Sequence, residues 1–138
     1  MEQRARRWFV LALGTLALGA LGFLVWSRKT GTPRVVPEGV RIKVEVLNAS
    51  GRRGHAYRAT VLLRQAGFDV VRFASDTATA DSTIVLVRTA GESGDWASKL
   101  VAVLGVGSAV FAPDSSLYLD LTVRLGRDWR PPAQPFYP

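Results

Sequence analysis

Arg41, Lys43 and Glu45 alternate with Ile42, Val44 and Val46, the period-two pattern that puts apolar side chains on one sheet face and charges on the other. The strand this predicts runs into residues 48–54, where Asn48, Ser50, Gly51 and Gly54 break the alternation and turn the chain. Beyond the turn the spacing changes: Ala59, Leu62, Leu63 and Ala66 form the stripe of a helix with one face on a core. Gly67 stops it, and residues 68–73 resume as a strand. Residues 74–81 are small and polar and read as a loop, and residues 82–88 form a near-continuous β-branched run, the profile of a covered strand. Trp96, Leu100, Val103 and Leu104 mark a second helix that begins near Asp95 and stops at Gly105. Val110 and Phe111 suit a short extra strand or an extended connection, Pro113 opens a turn, and residues 117–125 alternate as a last strand.

The order β-α-β-β-α-β, with both helices on one side of a sheet, predicts an α+β sandwich of ferredoxin-like type. Its uncovered face would carry Arg41, Lys43, Glu45, Asp120, Thr122 and Arg124, a mixed-charge surface expected to be solvated or to serve as a platform for glycan or peptide.

Ahead of this domain stands a stretch of another kind. Residues 8–26 contain no charge, begin and end on Trp8 and Trp26, and as a helix of roughly 19 residues would span about 28 Å, near the hydrocarbon thickness of a bilayer. The chain therefore divides into a basic cytoplasmic tail (1–7), a transmembrane signal anchor (8–26), a Gly/Pro linker (27–39), a folded domain (40–129) and a Pro-rich extended tail (130–138). A cleaved signal peptide is the rival. The apolar run continues through Leu21, Phe23, Leu24 and Val25 past any small-residue cut near Ala17 or Gly19, which favours an uncleaved anchor. Basic residues on the two sides nearly balance, and the short tail favours an N-terminus inside and a domain outside.

With 138 residues there is room for one modest core, and the absence of cysteine excludes disulfides and thiolate metal sites. The formal charge of +7 invites a nucleic-acid partner, but Arg4, Arg6, Arg7, Arg28, Lys29 and Arg34, against Glu2, flank the apolar stretch and leave only about +2 on the remainder. Nucleic acid is not the expected partner.

Val44, Val46, Asn48, Gly51, Gly54 and Ala56, then Leu62, Leu63, Gly67, Phe68 and Val70, resemble the C-terminal accessory domain of LytR-type (LytR/CpsA/Psr-associated) cell-envelope proteins. Val123, Leu125, Gly126, Arg127, Asp128 and Trp129 resemble that domain's closing strand and its Leu-Gly-basic-Asp-Trp signature. The resemblance implies an extracytoplasmic module, often appended to phosphotransferases that attach glycopolymers to the bacterial wall; their catalytic domain is absent here. It also strengthens the domain-out orientation. The expected role is a non-enzymatic, membrane-anchored module binding an anionic wall glycopolymer, peptidoglycan or an envelope protein. The alternatives are a cytoplasm-facing nucleic-acid regulator, which the family's association with transcription attenuation suggests, and a glycopolymer-transfer enzyme.

Catalytic and metal signals are thin. His55 is the sole histidine, so no zinc site can be assembled around a second one, and Ser50 beside it lacks a nucleophile-elbow pattern. No cofactor is implied. The first candidate site is the turn Asn48, Ser50, Gly51, Arg52, Arg53 and Gly54, where helix N–H groups and two guanidiniums would converge on an anion, against the plainer view that the glycines serve only the turn. The second is Arg127, Asp128 and Trp129, where Trp129 could stack on a sugar ring or plug the core.

Overall fold

The computed structural model describes residues 32–133. The expected tail and anchor over 1–26, the first part of the linker, and residues 134–138 lie outside the described residues. Among those described, no helix is long and apolar enough to cross a membrane.

The elements follow the order β1 (Lys43–Asn48), α1 (His55–Gln65), β2 (Asp69–Ser75), β3 (Ile84–Val87), α2 (Ser93–Leu104), β4 (Ser108–Phe111), a 3₁₀ turn (Ser115–Leu117) and β5 (Leu121–Leu125). One mixed sheet of five strands runs β2-β1-β5-β3-β4. β1 is parallel to both β2 and β5, β3 is parallel to β4, and only the β5–β3 pair is antiparallel.

This α+β fold corrects the ferredoxin-like expectation. Two β-α-β units with adjacent parallel strands stand side by side, and the last strand is inserted between them. The difference arises at the ends of the chain's second half. Residues 108–111 pair along β3 as a true edge strand, and the final strand finds two partners only in the gap between β1 and β3. It is also shorter than its alternation suggests: residues 117–120 do not join it, and Tyr118 adopts a left-handed φ of 52° that ends the 3₁₀ turn.

α1 packs on β1 and β2, α2 on β3 and β4, and the helices touch each other, so both cover one face. Phe73, Val46, Val123, Val85 and Ala109 are consecutive partners across the five strands. Val46, Val123 and Val85 are fully buried in this row, joined in the core by Leu63 and Leu100 from the helices. At about 25 cal/mol per Å² of apolar surface, such burial is the main favourable contribution to folding.

The neighbouring row of partners, Arg72, Glu45, Thr122, Leu86 and Val110, belongs to the face without helices. That face is not simply a solvated charge mosaic. Glu45 is 6% exposed and Thr122 is 0% exposed. Arg72 Nη1 donates to Glu45 Oε1 at 2.8 Å and Arg88 Nε to Thr122 Oγ1 at 3.1 Å, so long cationic side chains roof the shorter polar ones. Val110 and Phe111 on the edge strand remain exposed.

The expected linker docks on the domain over its described part. Val35 and Val36 both donate their N–H groups to Ala66 O, and Val36 is fully buried. Gly67 permits this approach: with φ 98° it suits glycine, and a Cβ there would lie 2.8 Å from Val36 O.

Candidate functional site

The carboxyl ends of β1 and β5, the start of α1 and the start of β3 meet at one end of the sheet, so the two stretches singled out from the sequence come together in space. Ala49 N–H donates to Leu125 O, Ala80 N–H to Ala49 O and Arg127 N–H to Ala80 O, stitching residues 48–54, 76–83 and 126–129 into one corner.

In the first stretch the Asn48 side chain organises the turn. Its Oδ1 accepts from Ser50 N–H at 3.1 Å and from Ser50 Oγ at 2.7 Å, while its Nδ2 donates to Arg52 O at 2.8 Å. The two backbone partners fix which way the amide points. Ser50 Oγ therefore donates its one hydrogen to Asn48 and accepts from Arg52 N–H at 3.2 Å. His55 Nδ1 lies 3.0 Å from the same Oγ and must carry the hydrogen of that contact. The imidazole is a donor to Ser50, so it is not placed to receive the serine's proton, and the pair lacks the arrangement of an activated nucleophile. Gly51 and Gly54 have φ of 72° and 80°, conformations that favour glycine, so the turn geometry itself calls for both.

The second stretch is locked just as firmly. Asp128 accepts from Thr83 N–H at 3.1 Å and from Thr83 Oγ1 at 2.7 Å, and Thr83 Oγ1 accepts from Gly126 N–H at 3.0 Å. Arg127 reaches Asp81 at 3.0 Å. Trp129 is fully buried, with no face open to a sugar ring, and its ring stands edge-on to His55 with centroids 5.3 Å apart. No acceptor for its Nε1–H is found among the described residues.

The corner exposes Asp81 and Asp128, held in the bonds just described, beside several arginines. Arg52 and Arg53 lie on the surface, and neither guanidinium forms an ion pair among the described residues. Burial lowers the pKa of His55, and the charges of Arg52, Arg58 and Arg130 lower it further, so three guanidiniums from the turn, the helix and the C-terminal stretch all act on this ring. Arg130 is tethered there by a bond to Trp129 O at 3.1 Å. α1 has no acid in its first turn and no side-chain cap, leaving its N-terminal dipole uncompensated.

Among the described residues no group of His, Cys, Asp and Glu side chains could hold a metal ion. A groove of about 410 Å³ between residues 32–35 and α2 is lined by Thr32, Pro33, Val35, Lys99, Ala102 and Val103 and gathers one charge only. Sequence reasoning proposed Asn48, Ser50, Gly51, Arg52, Arg53 and Gly54 as one group and Arg127, Asp128 and Trp129 as another. It missed Thr83, which carries no local signal, and Arg58 and Arg130, whose place is visible only once the chain ends are brought together.

An α+β domain of two β-α-β units joined through the last strand, with an arginine-ringed corner at the first helix, is the class the geometry defines. Residues 41–129 match the family described as LytR cell envelope-related transcriptional attenuator, and the chain belongs to that family. Among solved structures it is similar to the C-terminal domain of RV0431, at 24% identity over 67% of this chain and 77% of that one, with a TM-score of 0.44. It is also similar to the soluble domain of a conserved hypothetical secreted protein, the Rv2700 ortholog of Mycobacterium marinum, at 25% identity over 78% of this chain and 71% of that one, with a TM-score of 0.47. No curated protein matches the chain.

Proposed function

We propose that this protein is a membrane-anchored accessory module of the cell envelope, with its N-terminus cytoplasmic and its folded domain outside, that binds an anionic wall glycopolymer and performs no chemistry of its own. The observation that carries this reading is the convergence of Arg52, Arg58 and Arg130 on His55, with Arg53 alongside and no acid in the first turn of α1. Phosphate or carboxylate groups repeated along a polymer complement such a corner, since guanidiniums grip planar oxyanions with paired donors. Membership of an envelope-related family supports the location. The inward-facing Ser50 and the donor role of His55 support a binding rather than a catalytic task.

Retention of the detergent-solubilised full-length chain on purified anionic wall polymer at low salt tests the site. The Arg52→Ala/Arg53→Ala variant is expected to lose most of its retention, and added salt to weaken the native protein; equal retention of the two proteins would sink the reading. Orientation is tested separately by cysteines placed at exposed Ser98 and at Glu2, labelled in intact cells with an impermeant reagent. Labelling of Ser98→Cys with protection of Glu2→Cys is expected, and the reverse pattern would put the domain in the cytoplasm.

A further inference from the structure

We propose that occupancy of the arginine-ringed corner and protonation of His55 are coupled, so that a phosphate-bearing polymer binds more tightly as the surroundings turn acid. This rests on the anion-binding reading above and adds its regulation.

The second proton of the imidazole has one place to go. Nδ1 already carries a hydrogen donated to Ser50 Oγ, whose own hydrogen is committed to Asn48. Protonation therefore takes place at Nε2 and leaves the Asn48, Ser50 and His55 bonds in place. Charge is added to the corner without dismantling the turn that presents Arg52.

The field at the ring is positive. Among the described residues the charged groups acting on His55 are Arg52 from the turn, Arg58 from α1 and Arg130 from the C-terminal stretch, all of them cations. The side chains packed on it, Ser50 and Trp129, are neutral. In the free protein this positive field opposes the imidazolium. Burial opposes it most and is untouched by a ligand, but an anion on the same arginines offsets their share of the opposition, so binding takes up a proton. By linkage, protonation must then favour binding to the same degree. Each pKa unit by which the anion raises His55 tightens binding about tenfold at pH values below both midpoints.

Few other groups can mimic the effect. His55 is the only histidine and the chain has no cysteine, so it is the one side chain whose ordinary titration falls in the mildly acid range. Only the terminal groups of long-chain polyphosphate titrate there, which makes it a suitable probe.

The test uses the full-length chain without a histidine tag, in detergent micelles, with its single histidine ring labelled with carbon-13. NMR follows the His55 titration with and without saturating long-chain polyphosphate at fixed low ionic strength, and affinity is measured at about pH 5.5 and about pH 7.5. The expected result is an upward move of the His55 midpoint on saturation and at least about threefold tighter binding at the lower pH, a gain absent from His55→Gln. Binding with an unmoved midpoint and equal affinity at the two pH values would overturn the coupling and leave the anion site standing. No binding at either pH would overturn both.

Discussion

The rings of His55 and Trp129 meet edge to face, 5.3 Å between centroids and 81° between planes, joining the first residue of α1 to the last large side chain of the fold. Through this contact the glycine-rich turn after β1 and the corner after β5 become one structure. The exposed arginines of the turn are thus presented by a buried support, a polar network on one side and an indole on the other.

Trp129→Ala is expected to cost about 3–5 kcal/mol, the range for removing a fully buried large side chain. Trp129→Phe should cost much less. It keeps most of the apolar volume, and the lost Nε1–H leaves no acceptor behind among the described residues. Urea unfolding followed by circular dichroism separates the two; similar losses would mean that the indole nitrogen, rather than the bulk of the ring, matters most.

Gly126 is required for space. A Cβ there would lie 2.3 Å from the Ser82 carbonyl carbon and 2.5 Å from its oxygen, both backbone atoms with little freedom to move. Gly126→Ala is expected to destabilise by at least about 2 kcal/mol. Asp128→Asn should cost about 1–3 kcal/mol, since Thr83 N–H and Thr83 Oγ1 each bond a separate oxygen and an amide offers only one. Thermal unfolding at fixed pH checks both; a Gly126→Ala protein as stable as the native one would show that β3 can move away from β5.

Ile42, Val44 and Val46 announced β1, and Leu62, Leu63 and Ala66 announced α1, because burial on one side imprints a period on local sequence. Strand order leaves no such imprint. Nothing in residues 121–125 says that they enter between β1 and β3 rather than at an edge, and Ser108, Ala109, Val110 and Phe111 are all exposed and show no alternation of burial. Glu45 and Thr122 were misleading for a related reason: polar side chains suggest solvent, while the arginines that roof them come from β2 and from just past the end of β3. The candidate site was legible as two separate stretches, through their glycines and side-chain donors. Their union was not, since it depends on which chain ends the sheet brings together, and Arg58, Arg130 and Thr83 acquire meaning only there.

Tyr118 is the only non-glycine residue with positive φ among those described, and it is 83% exposed. Its side chain has little packing to offset a left-handed backbone that costs about 1–2 kcal/mol for most residues. Tyr118→Asn is therefore expected to be neutral or stabilising by up to about 1 kcal/mol, and Tyr118→Val to be destabilising by about 1 kcal/mol. Denaturant midpoints measured side by side decide this; destabilisation by asparagine would show that the tyrosine ring matters to the folded state.

Acid should erode the domain's stability in two pH windows, the first set by His55 and the second shared by Asp76 and Asp114, whose carboxyl the Ser116 hydroxyl also holds below its ordinary value. Burial and then the Arg52, Arg58 and Arg130 charges lower the pKa of His55 from 6.5, so the unfolded chain takes the proton first. Stability must fall as pH drops below about 6.5 toward the folded-state value, because there the unfolded state binds more protons. Asp76 behaves as a carboxylate with a partner. The side-chain bond from Arg124 leads the causes that hold it below 3.8, so its contribution is present above that pH and is lost as acidity passes through the lower folded-state value. His55→Gln should flatten the first decline and leave the second, while Asp76→Asn should leave the first and reduce the second, part of which stays with Asp114. Urea midpoints at low, fixed ionic strength from neutral to strongly acid pH read both stages, and a native protein with no loss of stability between about pH 7 and pH 5 would show that the imidazole is not opposed by its surroundings in the folded state.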